Sequence, residues 1–394
     1  MSPVMIAFTF PGQGSQTPGM GKPWLDHPSW ELVDEASDVA GRDVEHLLLF
    51  ADQDELTETR NSQLATFIMS MIVLDAVERT GVEPAFHAGH SLGEYSALAA
   101  SGCISFEDGV RLVTERGNAM QAAADARKGT MYAVLGLDDD QVELACSRTD
   151  GDVWVANYNA PGQVVIAGDP ADLAAAAAQA KALGAKRAMP IKVGGAFHTP
   201  FMSPARDRLR KAIAETEFRA PHRPVFANVD GLPHHLADDW ANLMGAQLTS
   251  PVRWRQTLHN LFEAGATVFL ELGPGAVLTG MAKRTVQDTT NLPIGTPADV
   301  DQLLDNLSHA SQTGAVHEGE YLYAFERLVV SPATGVFQPL ADLTPDLLLA
   351  AGQLIGYIGD VEVRSAFSGH LQGVLALEGE RVTTSQPIAW LRTA

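Results

Sequence analysis

Apolar positions in the first part of the chain follow strand and helix periods in turn. Val4–Phe10 is a continuous apolar run that predicts a buried strand, and Ser62–Val77 is apolar nearly all round, which predicts a buried helix. Phe86–Ala88 predicts a second strand, and Phe106–Ala124 predicts a helix that Ser105 caps. Strands that alternate with helices in this way are typical of an α/β fold with a parallel sheet.

The rhythm changes at roughly residues 128–195. Short runs there follow one another as strand, helix, strand, strand, helix and strand: 129–137, 138–149, 153–159, 163–167, 170–183 and 187–193. This order is that of a ferredoxin-like unit. We therefore expect a ferredoxin-like subdomain over residues 128–195, inserted into an α/β core that residues 1–127 and 196–290 form.

The rest of the core repeats the α/β pattern and then gives way to a linker. Helices are predicted at 203–216, 239–248, 255–263 and 278–286, and strands at 225–228 and 267–271. Residues 291–325 lack a long periodic segment apart from a helix at about 299–311. We expect this stretch to be a linker with one helix.

An internal repeat marks the last part of the chain, residues 326–394. Ser331–Phe337 matches Ser365–Leu371 at an offset of 34, and Gln353–Ile358 matches Gln386–Leu391 at an offset of 33. Gly359-Asp360 is a good hairpin turn between the two halves. The pattern predicts a small, pseudo-symmetric, all-β domain.

Composition narrows the possible partners. The 394 residues carry a net charge of −21, which argues against a general affinity for nucleic acid or for anionic membranes. No apolar run is long enough to span a membrane, and the two cysteines form no disulfide framework. We expect a cytoplasmic protein without a bound metal.

Ser91 lies in the pattern Gly89-His-Ser-Leu-Gly93, between a predicted strand and a predicted helix. Glycines at the outer positions leave room for a sharp turn that exposes the serine hydroxyl, as in the nucleophile elbow of α/β-hydrolase folds. A serine nucleophile needs a base, and His198 lies in a loop of small residues that returns from the subdomain to the core. The alternatives are an ordinary capping serine and a surface histidine.

Seven motifs stand in the order found in malonyl-CoA:acyl-carrier-protein transacylases, and the chain resembles this family over about residues 4–290. They are Phe10–Gln16, Gly89–Ser96, Glu115–Gly117, Asn157–Gly168, Gly195–His198, Gln247–Val252 and Glu271–Gly275. The family includes the stand-alone enzyme of fatty-acid synthesis and the acyltransferases of polyketide synthases. The resemblance implies an α/β-hydrolase-like core with a parallel sheet and an inserted ferredoxin-like subdomain.

The resemblance also implies roles for particular residues. Ser91 would attack the malonyl thioester, and His198 would take and return the proton. The backbone N–H groups of Gln13 and Leu92 would form the oxyanion hole, and the backbone carbonyl of Gln247 would orient the histidine. No acid of a catalytic triad is expected.

Substrate recognition follows from the same resemblance. Arg116 would bind the free malonyl carboxylate, since a guanidinium group matches a carboxylate with two hydrogen bonds. Gln63 and Asn159 match pocket positions, although Ser62-Gln63-Leu64 stands where the family usually has Gln-Pro. Leu92 and Phe197 resemble members that use malonyl and not methylmalonyl groups.

The C-terminal domain resembles biotinyl and lipoyl carrier domains, which hold a lysine on the hairpin between their two halves. This chain has no lysine after Lys283, so we expect neither biotin nor lipoate on it. From Asp301 onward it carries 11 Asp and Glu against 4 Arg. A role in protein docking, oligomerisation or stability is therefore expected.

Together these features predict a ping-pong acyltransferase that moves malonyl from malonyl-CoA to the phosphopantetheine thiol of an acyl carrier protein. No cofactor is expected. Three alternatives remain: a hydrolase that clears acyl groups from carriers, an acyltransferase for another extender unit, and a scaffold whose C-terminal domain is the working part. Acyl transfer compared with acyl release would separate the first of these.

Overall fold

A computed structural model of the chain describes residues 4–303 and 326–392, apart from residues 342, 345, 351, 360, 366, 367, 377, 378 and 385. Two compact units divide the chain, one up to residue 315 and one from residue 316. Each unit is described by itself. No described helix is both long enough and apolar enough to cross a membrane.

The first unit begins with two strands and six helices. They are β1 (Met5–Phe10), α1 (Leu32–Ala40), α2 (Val44–Leu49), α3 (Gln53–Thr57), α4 (Thr59–Glu78), β2 (Phe86–Gly89), α5 (Gly93–Ala100) and α6 (Phe106–Ala126). The predicted buried helix is confirmed as α4, in which 17 of 20 residues are buried. Three-residue to four-residue 3-10 turns lie at Lys22–Trp24 and Pro28–Glu31.

Six elements then follow that form a separate layer. They are β3 (Thr130–Leu135), α7 (Asp139–Ser147), β4 (Val153–Ala160), β5 (Gln163–Gly168), α8 (Pro170–Ala182) and β6 (Arg187–Ile191). Their four strands form an antiparallel sheet in the order β4-β5-β3-β6. Apolar residues of α7 and α8 pack on this sheet in a core of their own that contains Val134, Val142, Ile166 and Leu173.

The chain then returns to the first layer. A 3-10 turn at Pro200–Met202 leads into α9 (Ser203–Glu215), β7 (Val225–Phe226), β8 (Pro233–His234), α10 (Ala237–Gln247), α11 (Trp254–Glu263), β9 (Ala266–Leu272), α12 (Val277–Thr285), β10 (Thr290–Ile294) and α13 (Pro297–Asp301). The main sheet has the order β10-β9-β1-β2-β7-β8. All its strand pairs are parallel except β7 with β8.

The expected linker from residue 291 is partly wrong. Thr290–Ile294 is a strand that pairs with β9 at the edge of the main sheet. It is short and contains Pro293, which an edge strand tolerates because one side of it needs no N–H donors. The helix expected at about 299–311 is described only as α13, Pro297–Asp301, and residues 304–311 lie outside the described part.

The second unit consists of eight short strands in its described part. They are β11 (Glu326–Val330), β12 (Gly335–Pro339), β13 (Leu348–Leu349), β14 (Leu354–Ile358), β15 (Val361–Arg364), β16 (Gly369–Val374), β17 (Arg381–Val382) and β18 (Pro387–Arg392). They form two four-stranded sheets, β11-β18-β16-β13 and β15-β14-β12-β17.

The repeat in the sequence is also a repeat in the pairing of these strands. Strands β11–β14 of the first half correspond in order to strands β15–β18 of the second half, and each sheet contains strands from both halves. When every strand is replaced by its counterpart, the strand order of one sheet becomes that of the other. Matching positions are buried together, as with Phe337 and Leu371 and with Ile355 and Ile388. The backbone N–H of Ser331 donates to Gln386, and that of Ser365 donates in the same way to Gln353.

Candidate active site

Ser91 stands on a strained turn between β2 and α5. Its φ angle of 54° lies in the left-handed region, where a side chain clashes with its own backbone. A Cβ atom at Gly89 would lie 1.8 Å from the carbonyl oxygen of Gly93, so the turn closes only with glycine at the first of these positions. The predicted sharp turn is therefore present, and Ser91 lines a cleft.

The loop after β1 lies directly against this turn. A Cβ atom at Gly93 would lie 2.0 Å from the carbonyl oxygen of Phe10, and one at Gly12 would lie 2.5 Å from that of His90. The parallel pairing of β1 with β2 sets this contact, since Phe10 is in register with Gly89. Gln13 and Leu92, the two predicted oxyanion donors, therefore belong to adjacent backbone segments.

His198 reaches the serine from the loop that leaves the antiparallel sheet. Its Nε2 lies 2.8 Å from Ser91 Oγ, and its Nδ1 lies 3.0 Å from the carbonyl oxygen of Gln247 and 3.2 Å from that of Ser250. Both carbonyls can only accept, so Nδ1 carries the proton and Nε2 is free to accept from the serine. The contact with Ser250 was not predicted.

Arg116 is fully buried on α6 and points at the same hydroxyl. Its Nη2 donates to Ser91 Oγ at 3.0 Å and to Gln247 Oε1 at 3.0 Å, and its Nη1 donates to Gln63 Oε1. Gln63 Nε2 donates in turn to Gln13 Oε1 at 3.1 Å. In the described residues Arg116 forms no salt bridge, and the acceptors of its hydrogen bonds are neutral: two amide oxygens and the Ser91 hydroxyl.

The remaining predicted residues line the cleft beside Ser91, which has a volume of about 200 Å³. Asn159, on β4, accepts from His90 Nε2 at 2.8 Å, and Phe197 is buried at the base of the loop that carries His198. The structure thus brings together all nine predicted site residues. The apolar lining was not predicted, and it comes from Met120, Met131, Val165, Ile191, Val193, Val277, Leu278 and Met281.

Burial sets the protonation states of the site. Burial, and then the nearby Arg116 charge, lower the pKa of His198 to about 3, so the histidine is neutral at pH 7. Burial also lowers the pKa of Arg116, although a guanidinium starts so high that it stays charged. Burial raises the pKa of Glu94, a residue that was not predicted, to about 7. Among the described residues no group of three or more His, Cys, Asp or Glu could hold a metal ion.

Comparison with known proteins places the chain in a family. The family model described as "Acyl transferase domain" matches residues 7–317. The chain is 37% identical over 307 residues to a malonyl CoA-acyl carrier protein transacylase of Bacillus subtilis, covering 77% of this chain and 97% of the relative. It is 40% identical over 309 residues to that of Escherichia coli K12, covering 77% and 99%. The chain belongs to the malonyl CoA-acyl carrier protein transacylase family.

Solved structures of this family agree with the fold of the first unit. The malonyl CoA-acyl carrier protein transacylase of Coxiella burnetii superposes with a TM-score of 0.75 at 36% identity, over 78% of this chain and 99% of that one. A malonyl-transacylase solved in complex with its type II PKS acyl-carrier protein gives 0.74 at 38% identity, over 77% and 99%. The family model ends at residue 317, before the described strands of the second unit.

The low pKa of His198 predicts an unusual pH profile. A histidine with an ordinary pKa of about 6.5 would be some nine-tenths protonated at pH 5.5, and a reaction that needs it as a base would slow about tenfold. Since the pKa here is about 3, we expect the rate of CoA release in a single turnover with malonyl-CoA to change less than threefold between pH 8 and pH 5.

Circular dichroism at each pH is the control for folding in this experiment. A tenfold loss of rate with an apparent pKa between 6 and 7, on a protein that remains folded, would contradict the prediction. Repeating the profile with Glu94→Gln identifies any contribution of the carboxyl whose pKa is about 7.

Proposed function

We propose that this protein transfers malonyl from malonyl-CoA to the phosphopantetheine thiol of an acyl carrier protein through an acyl-serine intermediate. The observation that carries the proposal is a buried arginine, with neutral partners, 3.0 Å from a serine that is hydrogen-bonded to a neutral histidine. The names of the relatives, which include a complex with an acyl-carrier protein, support the same activity.

In the first half of the reaction Ser91 Oγ would attack the thioester carbonyl of malonyl-CoA. Its proton would pass to His198 Nε2, 2.8 Å away, while Nδ1–H remains bound to the carbonyls of Gln247 and Ser250. Collapse of the tetrahedral intermediate would break the C–S bond. The departing CoA thiolate would take the proton from Nε2 and leave a malonyl ester on Ser91.

The negative charge of the tetrahedral intermediate needs donors on the other side of the serine. The backbone N–H groups of Gln13 and Leu92 are our candidates, since their segments touch through Gly12 and Gly93. Such donors typically lower the barrier by about 3–4 kcal/mol each, because they are fixed before the charge forms.

Arg116 would bind the free carboxylate of the malonyl group. A buried cation that has no salt-bridge partner among the described residues is costly, and a carboxylate on a short acyl chain at Ser91 would supply such a partner. Gln63 and Gln247, whose amide oxygens now accept from the guanidinium, support its orientation. A bound carboxylate would also offset the positive charge that contributes to the low pKa of His198.

In the second half the carrier thiol would give its proton to His198 and attack the acyl-serine carbonyl. The ester C–O bond would break, and Ser91 would recover its proton from Nε2. Asn159 and Phe197 would border the acyl group in the cleft. Phe197 would crowd a 2-methyl branch, although one methyl group discriminates by only about 1–3 kcal/mol.

Two further assignments concern residues 128–195 and the second unit. We infer that residues 128–195 form a ferredoxin-like subdomain, which the antiparallel order β4-β5-β3-β6 with two helices supports. We also infer that the second unit is a biotinyl/lipoyl-like domain that carries neither group. Its two sheets, each built from strands of both halves, support the fold, and the absence of lysine after Lys283 supports the lack of an attached group. Docking of another protein is the role that we assign to it.

Incubation with malonyl-CoA should add the mass of one malonyl group to Ser91, and added holo acyl carrier protein should remove it with formation of malonyl carrier. Ser91→Ala should take no label, and Ser101→Ala, which changes another buried serine near the end of α5, should behave as the unchanged protein. Absence of label on the unchanged protein would refute the function. Release as free malonate with no carrier product would favour the hydrolase.

Arg116→Ala should reduce malonyl loading roughly 100-fold, because a charge-assisted pair of hydrogen bonds is lost, and should improve loading of acetyl relative to malonyl. Arg111→Ala is the matched control, since Arg111 lies on the same helix but pairs with Asp108 at the surface. Rates of CoA release from the two thioesters measure the effect. Equal losses for acetyl and malonyl would assign Arg116 a structural role.

A shortened chain that ends at residue 320 should load malonyl on Ser91 at the rate of the full chain, since every residue that lines the cleft lies at or before Met281. A higher KM for the carrier alone would point to docking by the second unit. Loss of loading, with the first unit still folded by circular dichroism, would contradict a non-catalytic role for that unit.

A further inference from the structure

Buried side chains hold the backbone of the turn behind Ser91. The Ser91 N–H donates to Asn228 Oδ1 at 2.7 Å, and the Gly89 carbonyl accepts from Asn228 Nδ2 at 2.6 Å. The Asn228 side chain thus bridges the backbone from Gly89 to the nucleophile itself. The Ser91 carbonyl accepts from Gln247 Nε2 at 2.8 Å, so both backbone groups of the serine are bound by side chains.

Asn228 is itself fixed at both backbone ends. Its N–H donates to Glu94 Oε1 at 2.9 Å, and its carbonyl accepts from the N–H of Arg253 at 2.9 Å. Glu94 is on α5, three residues after the nucleophile, and its other oxygen accepts from Gln247 Nε2. Asn228 and Glu94 are each only 1% exposed, so these bonds are shielded from water.

The sheet explains why Asn228 can reach the turn. β7 runs parallel to β2 with Ala88 in register with Phe226, so the residues that follow the two strands lie side by side. β7 ends at Phe226, two residues before Asn228, which leaves the Asn228 backbone free to bond with Glu94 and Arg253 instead of a strand.

The chemistry of the partners fixes which side chain can do this. A backbone N–H only donates and a backbone carbonyl only accepts. The side chain of residue 228 must therefore present one acceptor and one donor, separated by about the distance between the oxygen and the nitrogen of an amide. Asparagine does so at every pH. A carboxylate offers acceptors only, whereas a protonated carboxyl group again offers one of each.

We propose that Asn228 is a positioning residue that holds the strained turn in the conformation in which Ser91 Oγ faces His198 and the Leu92 N–H faces the acyl oxygen, with Glu94 holding Asn228 in place. The proposal rests on Ser91 being the nucleophile. A left-handed serine persists only where its surroundings determine it, and Asn228 bonds to the residue itself and to the glycine two positions before it.

Asn228→Ala should slow malonyl loading of Ser91 roughly 10- to 100-fold, with the KM for malonyl-CoA changed less than threefold, because the cleft and Arg116 are untouched. Asn260→Ala is the matched control. Asn260 also donates its side-chain amide to a glycine carbonyl, that of Gly231 at 2.8 Å, and it does not line the cleft. We expect its loading rate to stay within twofold.

Asn228→Asp gives a readout that a purely structural residue would not move. The ratio of its loading rate to that of the unchanged protein should rise at least fivefold from pH 8 to pH 5.5, as the introduced carboxyl group gains a proton and donates to Gly89 again. Charged or titratable groups near this position are Glu94, Arg116, His198, Asp230 and Arg253, whose side chain donates to the carbonyl of Val229. The double variant Glu94→Gln, Asn228→Asp removes the titration of Glu94 and should keep the rise.

The outcomes separate this proposal from the proposed function. If the unchanged protein takes no malonyl label, the function fails. If the unchanged protein is labelled, and Asn228→Ala and Asn228→Asp load at its rate at every pH, the positioning role is overturned. If Asn228→Ala does not fold, a flat pH ratio for Asn228→Asp with a slow rate also overturns it, because the recovery on protonation is then missing.

Discussion

The contact between two backbone segments, Phe10–Gly12 and His90–Gly93, is the constraint on which the site depends. Side chains at Gly12 or Gly93 would overlap carbonyl oxygens of the other segment, so the two loops approach as closely as backbone can. The parallel register of β1 with β2 brings them together, and the burial of both strands keeps that register from slipping. The serine turn, the Gln13 loop and the start of α5 are consequences of one pairing.

Amide oxygens and the Ser91 hydroxyl accept the hydrogen bonds of the Arg116 guanidinium, while the carboxyl group of Glu94 is held one step away by Gln247 Nε2. Gln247 touches most of the reacting groups: its carbonyl accepts from His198, its side-chain oxygen from Arg116, and its side-chain nitrogen donates to Ser91 and Glu94. A carboxylate next to the guanidinium would occupy the place of an anionic acyl group. Neutral amide oxygens orient the guanidinium and leave its charge available to a ligand.

Much of this could be predicted from the sequence, because it depends on local patterns. The period of α4, the strand before Ser91 and the glycines around it are visible residue by residue, and so are the matching halves after residue 326. Asn228 was predicted only as the end of a strand, since nothing in Val225–Asn228 shows that pairing stops at Phe226. The apolar lining was missed because its residues come from separate elements.

Burial explains how a neutral base, with Nε2 2.8 Å from Ser91 Oγ, coexists with a cation, with Nη2 3.0 Å from the same oxygen. Removing water disfavours the charged form of both groups, but the resulting protonation state depends on the pKa that each side chain has in water. The pKa of a free histidine lies close to pH 7, so burial and the adjacent charge lower it enough to leave His198 unprotonated across the physiological pH range. The pKa of a free guanidinium lies so far above this range that the same environment leaves Arg116 charged. The same buried surroundings therefore provide Ser91 with an acceptor for its proton, His198, and with a positive charge, Arg116.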